Sequence, residues 1–309
     1  MQSCIPKASE SNVMLNPLHR HSRALFALAA ICCFGSLFWA YWTTLQEISQ
    51  RWAHDPQYSH GYFVPAFALF LLWHRRGYLS TGRFGPSWWG LPVLAAGLLL
   101  RLVGAYFHFV WVDQVSLLPC LAGICLLLIG RRGWRWAQPA ILFLVLMIPL
   151  PYSLGVALAD PLRRLATVSS TFLLQTVGMP AVAEGNVILI GEAELDVAEA
   201  CSGLRMLVTF FALSTAVALL SGRPIWERIA LVVSAIPIAL VANVLRVTAM
   251  GLFAGTAGTT SDALHDVSGW LMMPLALGIL WIELGVLKRL LIQRESASPI
   301  GPAVWPQRA

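Results

Sequence analysis

Charge is what this chain has least of. Only 12% of its 309 residues are Asp, Glu, Lys or Arg, against 58% hydrophobic, and the mean hydropathy is +0.70. Globular domains carry about 25% charged residues. Several apolar runs approach the roughly 20 residues that cross a bilayer, so the chain reads as a polytopic membrane protein. The six cysteines include no CxxC spacing, and Cys32, Cys33, Cys120 and Cys125 fall inside apolar runs. Neither a disulfide framework nor a metal knot is expected. No HExxH or clustered His/Cys spacing occurs, so no metal and no cofactor are expected. Internal repeats and paired broken helices are also lacking, and few charges besides Arg101 and Glu283 lie within apolar runs, which argues against a transporter. No cleavable signal peptide is expected, because residues 1–23 are polar and the apolar run after them has the length of a span.

What is present in quantity is hydrophobic length. Eight spans are expected: Ala24–Leu45, Gly61–Trp73, Trp88–Tyr106, Gln114–Ile129, Ala137–Leu154, Ser202–Leu220, Ile229–Met250 and Asp266–Leu287. The formal charge of +6 does not point to nucleic acid, because most basic residues sit in short loops where they set orientation. With the N-terminus inside, the segments around Arg75–Arg76–Arg83, Arg131–Arg132–Arg135, Arg223–Arg228 and Lys288–Arg289–Arg294 are all cytoplasmic. Outer loops then hold only Arg51, Arg163 and Arg164. Both termini are therefore expected in the cytoplasm. Gly155–Gly178 is too polar for a span and reads as an amphipathic helix on the outer surface. Residues 186–191 and 194–198 read as a β-hairpin. The fold class is thus an all-α polytopic membrane protein with a small extracytoplasmic helix and hairpin. Its parts are a cytoplasmic segment 1–23, one integral-membrane domain 24–290 with an extracytoplasmic insert 155–200, and a disordered tail 291–309.

The chemistry concentrates where the insert meets the sixth span. Cys201 lies in Glu199-Ala-Cys-Ser-Gly-Leu-Arg205, at a helix N-terminus where the dipole and free N–H groups favour a thiolate. Arg205 follows one turn later on the same face. Arg246 closes the seventh span at the same membrane side, with Asn243 one turn beneath it. An intramembrane arginine usually faces a protein interior or a watery cavity, and beside a thiolate it can hold an oxyanion. His265 opens the eighth span at that leaflet and can exchange protons with the thiol and a leaving amine. Asp262 and Asp266 are both near enough in sequence to orient it. Taken singly, a helix-end cysteine is more often a packing residue, a terminal arginine snorkels, and a histidine is an ordinary surface group. Their convergence on one face is what argues for a site. Tyr58-Ser-His60-Gly61 enters the second span from the same side, so His60 and Tyr58 are candidates for substrate binding or interfacial anchoring.

Residues 198–205, the run Asn243-Val-Leu-Arg246, His265, and Tyr58-Ser-His-Gly61 with Trp73 and Arg75-Arg76 resemble the exosortase family of membrane cysteine transpeptidases, over about residues 55–290. The resemblance implies Cys201 as nucleophile, His265 as general acid/base and Arg246 as transition-state stabiliser, with Ser202, Gly203, Arg205 and Asn243 in support. It implies an inner-membrane enzyme whose site faces the periplasm. The implied partners are exported proteins ending in a Pro-Glu-Pro motif, a transmembrane helix and a basic cluster, an acceptor of glycan or lipid character, and membrane lipids. A link to exopolysaccharide production is also implied. Many family members carry a soluble C-terminal extension, whereas this sequence stops soon after the eighth span. Two other readings stay open. One is a purely hydrolytic cysteine protease, in which water resolves the acyl-enzyme. The other is a non-catalytic exopolysaccharide assembly or export component.

Overall fold

The computed structural model describes residues 16–80, 85–191, 193–197 and 203–257, with five isolated positions between 278 and 285. The chain is mostly helical and divides into two units, residues 1–160 with 211–232, and 161–210 with 233–309. Helices α1 (Asn16–Ala40), α2 (Trp42–His54), α3 (Phe63–His74), α4 (Gly77–Ser80), α5 (Gly90–Tyr106) and α6 (Val110–Phe143) come first. A long helix α7 (Tyr152–Thr176) leads into strands β1 (Ala181–Glu184), β2 (Val187–Ile190) and β3 (Ala193–Asp196), and helices α8 (Gly203–Leu220) and α9 (Ile225–Ala257) follow.

In the first unit the expected span Ala24–Leu45 is broken. Helix α1 ends at Ala40, and α2 sets off at 61° to it. The break lies at Tyr41, which is fully buried and whose hydroxyl meets Ser116 Oγ at 2.6 Å. Arg101 of α5 donates to the Ala40 carbonyl and lays its guanidinium 3.9 Å from the centre of the Tyr41 ring. A bend in a helix frees a carbonyl that must find another donor in an apolar setting, and Arg101 supplies it.

Helices α5 and α6 pack through glycines. Gly90, Gly97 and Gly104, seven residues apart, are all buried on one side of α5. A Cβ at Gly97 would come within 2.7 Å of Cys120 Sγ, and one at Gly104 within 2.6 Å of Asp113 N. The absence of side chains lets the two backbones approach, the small-residue packing typical of membrane helices. The 34 residues of α6 would make a straight rod of about 50 Å, well beyond a hydrocarbon core. Gly130, with φ 77° and ψ −164°, interrupts it. Leu117 and Ile124 before that point share one core cluster with Phe143, Met147 and Ile148 after it. The chain therefore turns back at Gly130, as the separate expectations for 114–129 and 137–154 require.

Among the described residues, three helical stretches are long and apolar enough to cross a membrane: Val110–Met147, Gly203–Leu220 and Ile225–Gly255. A fourth is added if the bent α1–α2 pair counts as one. Helix α5 has 17 residues and α3 only 12, about 25 and 18 Å long. The expected span Asp266–Leu287 lies outside the described residues apart from isolated positions. Large apolar side chains are exposed along these helices, with Ile31 70%, Trp39 84% and Leu102 67% accessible. Such faces suit lipid rather than water, and the protein is a multi-pass membrane protein.

In the second unit the expected hairpin is two strands of a three-stranded antiparallel sheet, order β1-β2-β3. Strand β1 was not anticipated. Gly185 and Gly191 begin the two connections with φ of 63° and 61°, a left-handed conformation that favours glycine. Ile188, Ile190, Leu195 and Ala181 from the sheet, Val197, Ala166 and Leu174 of α7, and Val247 and Met250 of α9 form one buried cluster. The segment 155–178 is helical as expected, but it does not merely lie on a surface. Thr167, Ser170 and Thr171 of α7 are buried, and Ser170 Oγ donates to the Val244 carbonyl of α9 at 3.1 Å.

Candidate active site

The second unit assembles the site's framework from α7, α8 and α9. Asn243 and Arg246 lie three residues apart on α9, hence on one face, and both are buried, 1% and 4% accessible. Helix α9 holds them because its apolar residues Val247 and Met250 pack against α7 and the sheet. Thr248 Oγ1 donates to the Val244 carbonyl one turn back, beside the Ser170 contact. Thus two hydroxyls converge on the Val244 carbonyl, between Asn243 and Arg246 in sequence.

Helix α8 begins at Gly203, and its first residue rests against this face. A Cβ on Gly203 would stand 3.0 Å from Asn243 Nδ2 and 3.7 Å from Leu162 Cβ of α7. Glycine suits this approach, since a Cβ would require Asn243 to give way by a few tenths of an ångström. Arg205, in the first turn of α8, is half-buried. Cys201 and Ser202 directly precede this contact, and they lie outside the described residues, as does His265. The structure therefore joins Gly203 to Asn243 and keeps Asn243 and Arg246 on one buried face, but tests no role for Cys201 or His265.

Asn243 Oδ1 and Arg246 Nε are both buried with no hydrogen-bond partner among the described residues. An unmet buried acceptor or donor costs about 1–3 kcal/mol, so each calls for an explanation; His60 Nδ1, Arg75 Nε, Arg101 Nη1 and Ser214 Oγ are in the same condition elsewhere in the fold. No group of three or more His, Cys, Asp or Glu side chains suited to a metal occurs among the described residues.

His60 and Tyr58 belong to the first unit, in a 3-10 turn Pro56–Tyr62 that Asp55 caps by accepting from the Gln57 N–H. His60 Nε2 lies 3.3 Å from the Leu146 carbonyl, and Trp52 Nε1 donates to the Met147 carbonyl at 3.0 Å. Gly61 fits because a Cβ there would strike the Trp52 indole. Burial lowers the His60 pKa, partly offset by the Leu146 and Gln57 carbonyls. Tyr58 is raised, first by burial and then by the Asp55 charge. Both residues are buried in this turn, and His60 Nδ1 has no hydrogen-bond partner among the described residues.

One contribution escaped the sequence reading. Helix α7 supplies Leu162 against Gly203 and Ser170 against α9. Its visible signal is the small polar stripe Thr167, Ser170, Thr171 at helical spacing, which permits close helix packing.

Comparison with known proteins yields one family. The family model described as Transmembrane exosortase (Exosortase_EpsH) matches residues 52–282. Neither a curated protein nor a solved structure matches the chain. The matched stretch takes in most of the sequence, from Trp52 at the end of α2 through the Gly203–Asn243–Arg246 framework and beyond it, and the chain belongs to the transmembrane exosortase family.

Proposed function

We propose that the protein is a membrane-embedded cysteine protease/transpeptidase that cleaves C-terminal sorting signals of exported proteins. The observation that carries the reading is the pair of unmet buried groups, Asn243 Oδ1 and Arg246 Nε, on the face of α9 against which Gly203, two residues after Cys201 in sequence, begins α8. A catalytic donor aimed at charge that develops only during reaction is unsatisfied at rest.

In this reading the Cys201 thiolate attacks the carbonyl carbon of the scissile bond. A C–S bond forms, and the carbonyl oxygen takes up the electron pair beside Arg246. Collapse breaks the C–N bond as His265 gives a proton to the departing amine. The thioester then meets an acceptor nucleophile of glycan or lipid character, His265 takes its proton, and the thiolate leaves. Asn243 positions the Gly203 end of α8, and Arg205 supports the thiolate. The substrates carry a Pro-Glu-Pro motif, a transmembrane helix and a basic cluster. Loop charges orient the enzyme in the inner membrane with this face toward the periplasm, and the acceptor chemistry links it to exopolysaccharide production.

The test is processing of a co-expressed reporter ending in such a signal, with membrane abundance of the enzyme followed alongside. Cys201→Ala is expected to stop processing at normal abundance. Unchanged processing would remove the thiol mechanism.

A further inference from the structure

A second site lies in the first unit, away from the cysteine chemistry. A cavity of about 510 Å³ is lined by His74, Arg75, Tyr78, Leu219–Gly222 and Arg228. Its size is that of a small-ligand site. Among the described residues, no carboxylate lines it. Glu227, the acid nearest in sequence, is already paired with Arg223 at 2.9 Å.

The two arginines of the lining are held in place rather than loose. Arg75 donates through Nη2 to the Arg135 carbonyl at 3.2 Å, and its guanidinium lies 4.8 Å from the centre of the Tyr78 ring. Its Nε is buried without a hydrogen-bond partner among the described residues. Arg228 donates through Nε to the Arg223 carbonyl at 2.8 Å. Fixed guanidinium groups at a cavity wall match a phosphate, which accepts several N–H bonds at once; Arg75 Nε, being buried, is not among the atoms that could donate to it. Beside them, Leu219 and Leu220 give the cavity an aliphatic wall, and Leu220 is also 40% accessible from outside. A free phosphate has no use for that wall; an acyl-glycerol does. Exposed Trp73, Tyr78 and Trp226 lie close by in sequence, and aromatic side chains of this kind sit at headgroup level. Arg75 at the end of α3 and Arg228 in the first turns of α9 also lie in segments that charge asymmetry assigns to the cytoplasmic leaflet, where anionic lipids meet basic pockets between helices.

We infer that the cavity between the α3–α4 corner and the α8–α9 connection binds the phosphate headgroup of an anionic phospholipid. This goes beyond the sorting reading and uses none of the residues given a part in its chemistry.

The experiment titrates full-length protein in nonionic detergent with phosphatidylglycerol, phosphatidylcholine or inorganic phosphate, and reads bound lipid by native mass spectrometry. Phosphatidylglycerol is expected to bind in preference to phosphatidylcholine. Arg228→Gln should weaken it about fivefold, the effect of one basic residue near an anionic lipid. Gly222→Trp provides a test that leaves the charges intact. A Cβ there meets nothing within 4 Å, so the indole can fill the cavity and should abolish selective binding. Melting in the same nonionic detergent with phosphatidylcholine added checks that each variant is folded, and either folded variant decides the matter. Equal binding of the two lipids, or selective binding that survives in a folded variant, would overturn the proposal. Displacement of the lipid by inorganic phosphate at matching concentration would overturn the lipid assignment in favour of a soluble phosphate.

Discussion

Replacing Arg246 by Met should separate activity from stability. Met keeps an unbranched apolar stem of similar reach and removes the guanidinium. Arg246 is 4% accessible, and its Nε has no partner among the described residues. A buried donor left unmet costs about 1–3 kcal/mol, so its removal should leave the folded protein equally stable or more so by up to that amount. If the guanidinium serves an oxyanion, its loss should slow reporter processing about 10²–10³-fold, some 2.7–4 kcal/mol of transition-state stabilisation. Thermal melting of detergent-extracted protein reads the first quantity, and a processing time course reads the second. Arg101→Met is the comparison. Arg101 caps the Ala40 carbonyl at the α1–α2 break and covers Tyr41, so its loss should lower the melting temperature. A fall in melting temperature for Arg246→Met that matches its loss of activity would refute the argument and make Arg246 a structural residue.

Gly203→Ala places a methyl 3.0 Å from Asn243 Nδ2. Overpacking costs about 1–3 kcal/mol and alanine returns about 1 in a helix, so melting should fall by the equivalent of about 0–2 kcal/mol while processing falls at least tenfold. Gly97→Val should destabilise the α5–α6 pair and lower melting clearly, because its Cβ meets Cys120 Sγ at 2.7 Å; Gly35→Ala, with nothing within 4 Å, should be neutral or stabilising. His60 has a pKa lowered by burial, so its stability contribution is full above the ordinary value of about 6.5 and is lost as pH falls through the lowered folded value. Melting measured from pH 7.5 down to pH 5 should show this acid loss, and His60→Asn should diminish it; an identical pH profile would count against the buried neutral imidazole.

The membrane character of the chain was legible because it depends on composition alone, and lipid-facing side chains such as Ile31 and Trp39 announce themselves by hydropathy. The hairpin from 187 to 196 was legible from its alternation and its glycine. Strand β1 was not, because Ala181-Val-Ala-Glu184 has a helix former at every second place, and pairing with β2 in the register Ala181↔Ile190 decides its conformation. The break at Tyr41 was equally hidden. Nothing near residue 41 is proline or glycine, and the bend is stabilised from outside by Ser116 and Arg101, more than 50 residues away. Helix α7 looked amphipathic because of Asp160, Arg163 and Arg164, yet the stripe of Thr167, Ser170 and Thr171 serves close packing on α9 rather than contact with water. The local motif around Gly203 could be read directly, whereas the burial of Asn243 and its closeness to Gly203 depend on how three distant helices meet.

Residue type within an apolar helix therefore does not settle a role; the partners do. Arg101 and Arg246 look alike in sequence, each an isolated cation in a hydrophobic run. The fold gives Arg101 a carbonyl and an aromatic ring. Several polar groups of the first unit are similarly occupied: Thr44 donates to Asp113 at 2.6 Å, and Trp136 Nε1 to the Leu72 carbonyl at 3.0 Å, whereas His60 Nδ1, Arg75 Nε, Arg101 Nη1 and Ser214 Oγ are buried with no hydrogen-bond partner among the described residues. A bilayer core provides no water to complete such bonds, so each one found within the protein accounts for its residue without any appeal to chemistry. Arg246 Nε and Asn243 Oδ1 lack that account among the described residues, while the helices carrying them are packed tightly enough that a Cβ at Gly203 would press on Asn243. A rigid, buried frame with unmet donor and acceptor atoms is what preorganised binding of a transient charge requires. What sets these two apart from the other buried atoms without partners is that they share one face of α9 with the start of α8 at Gly203.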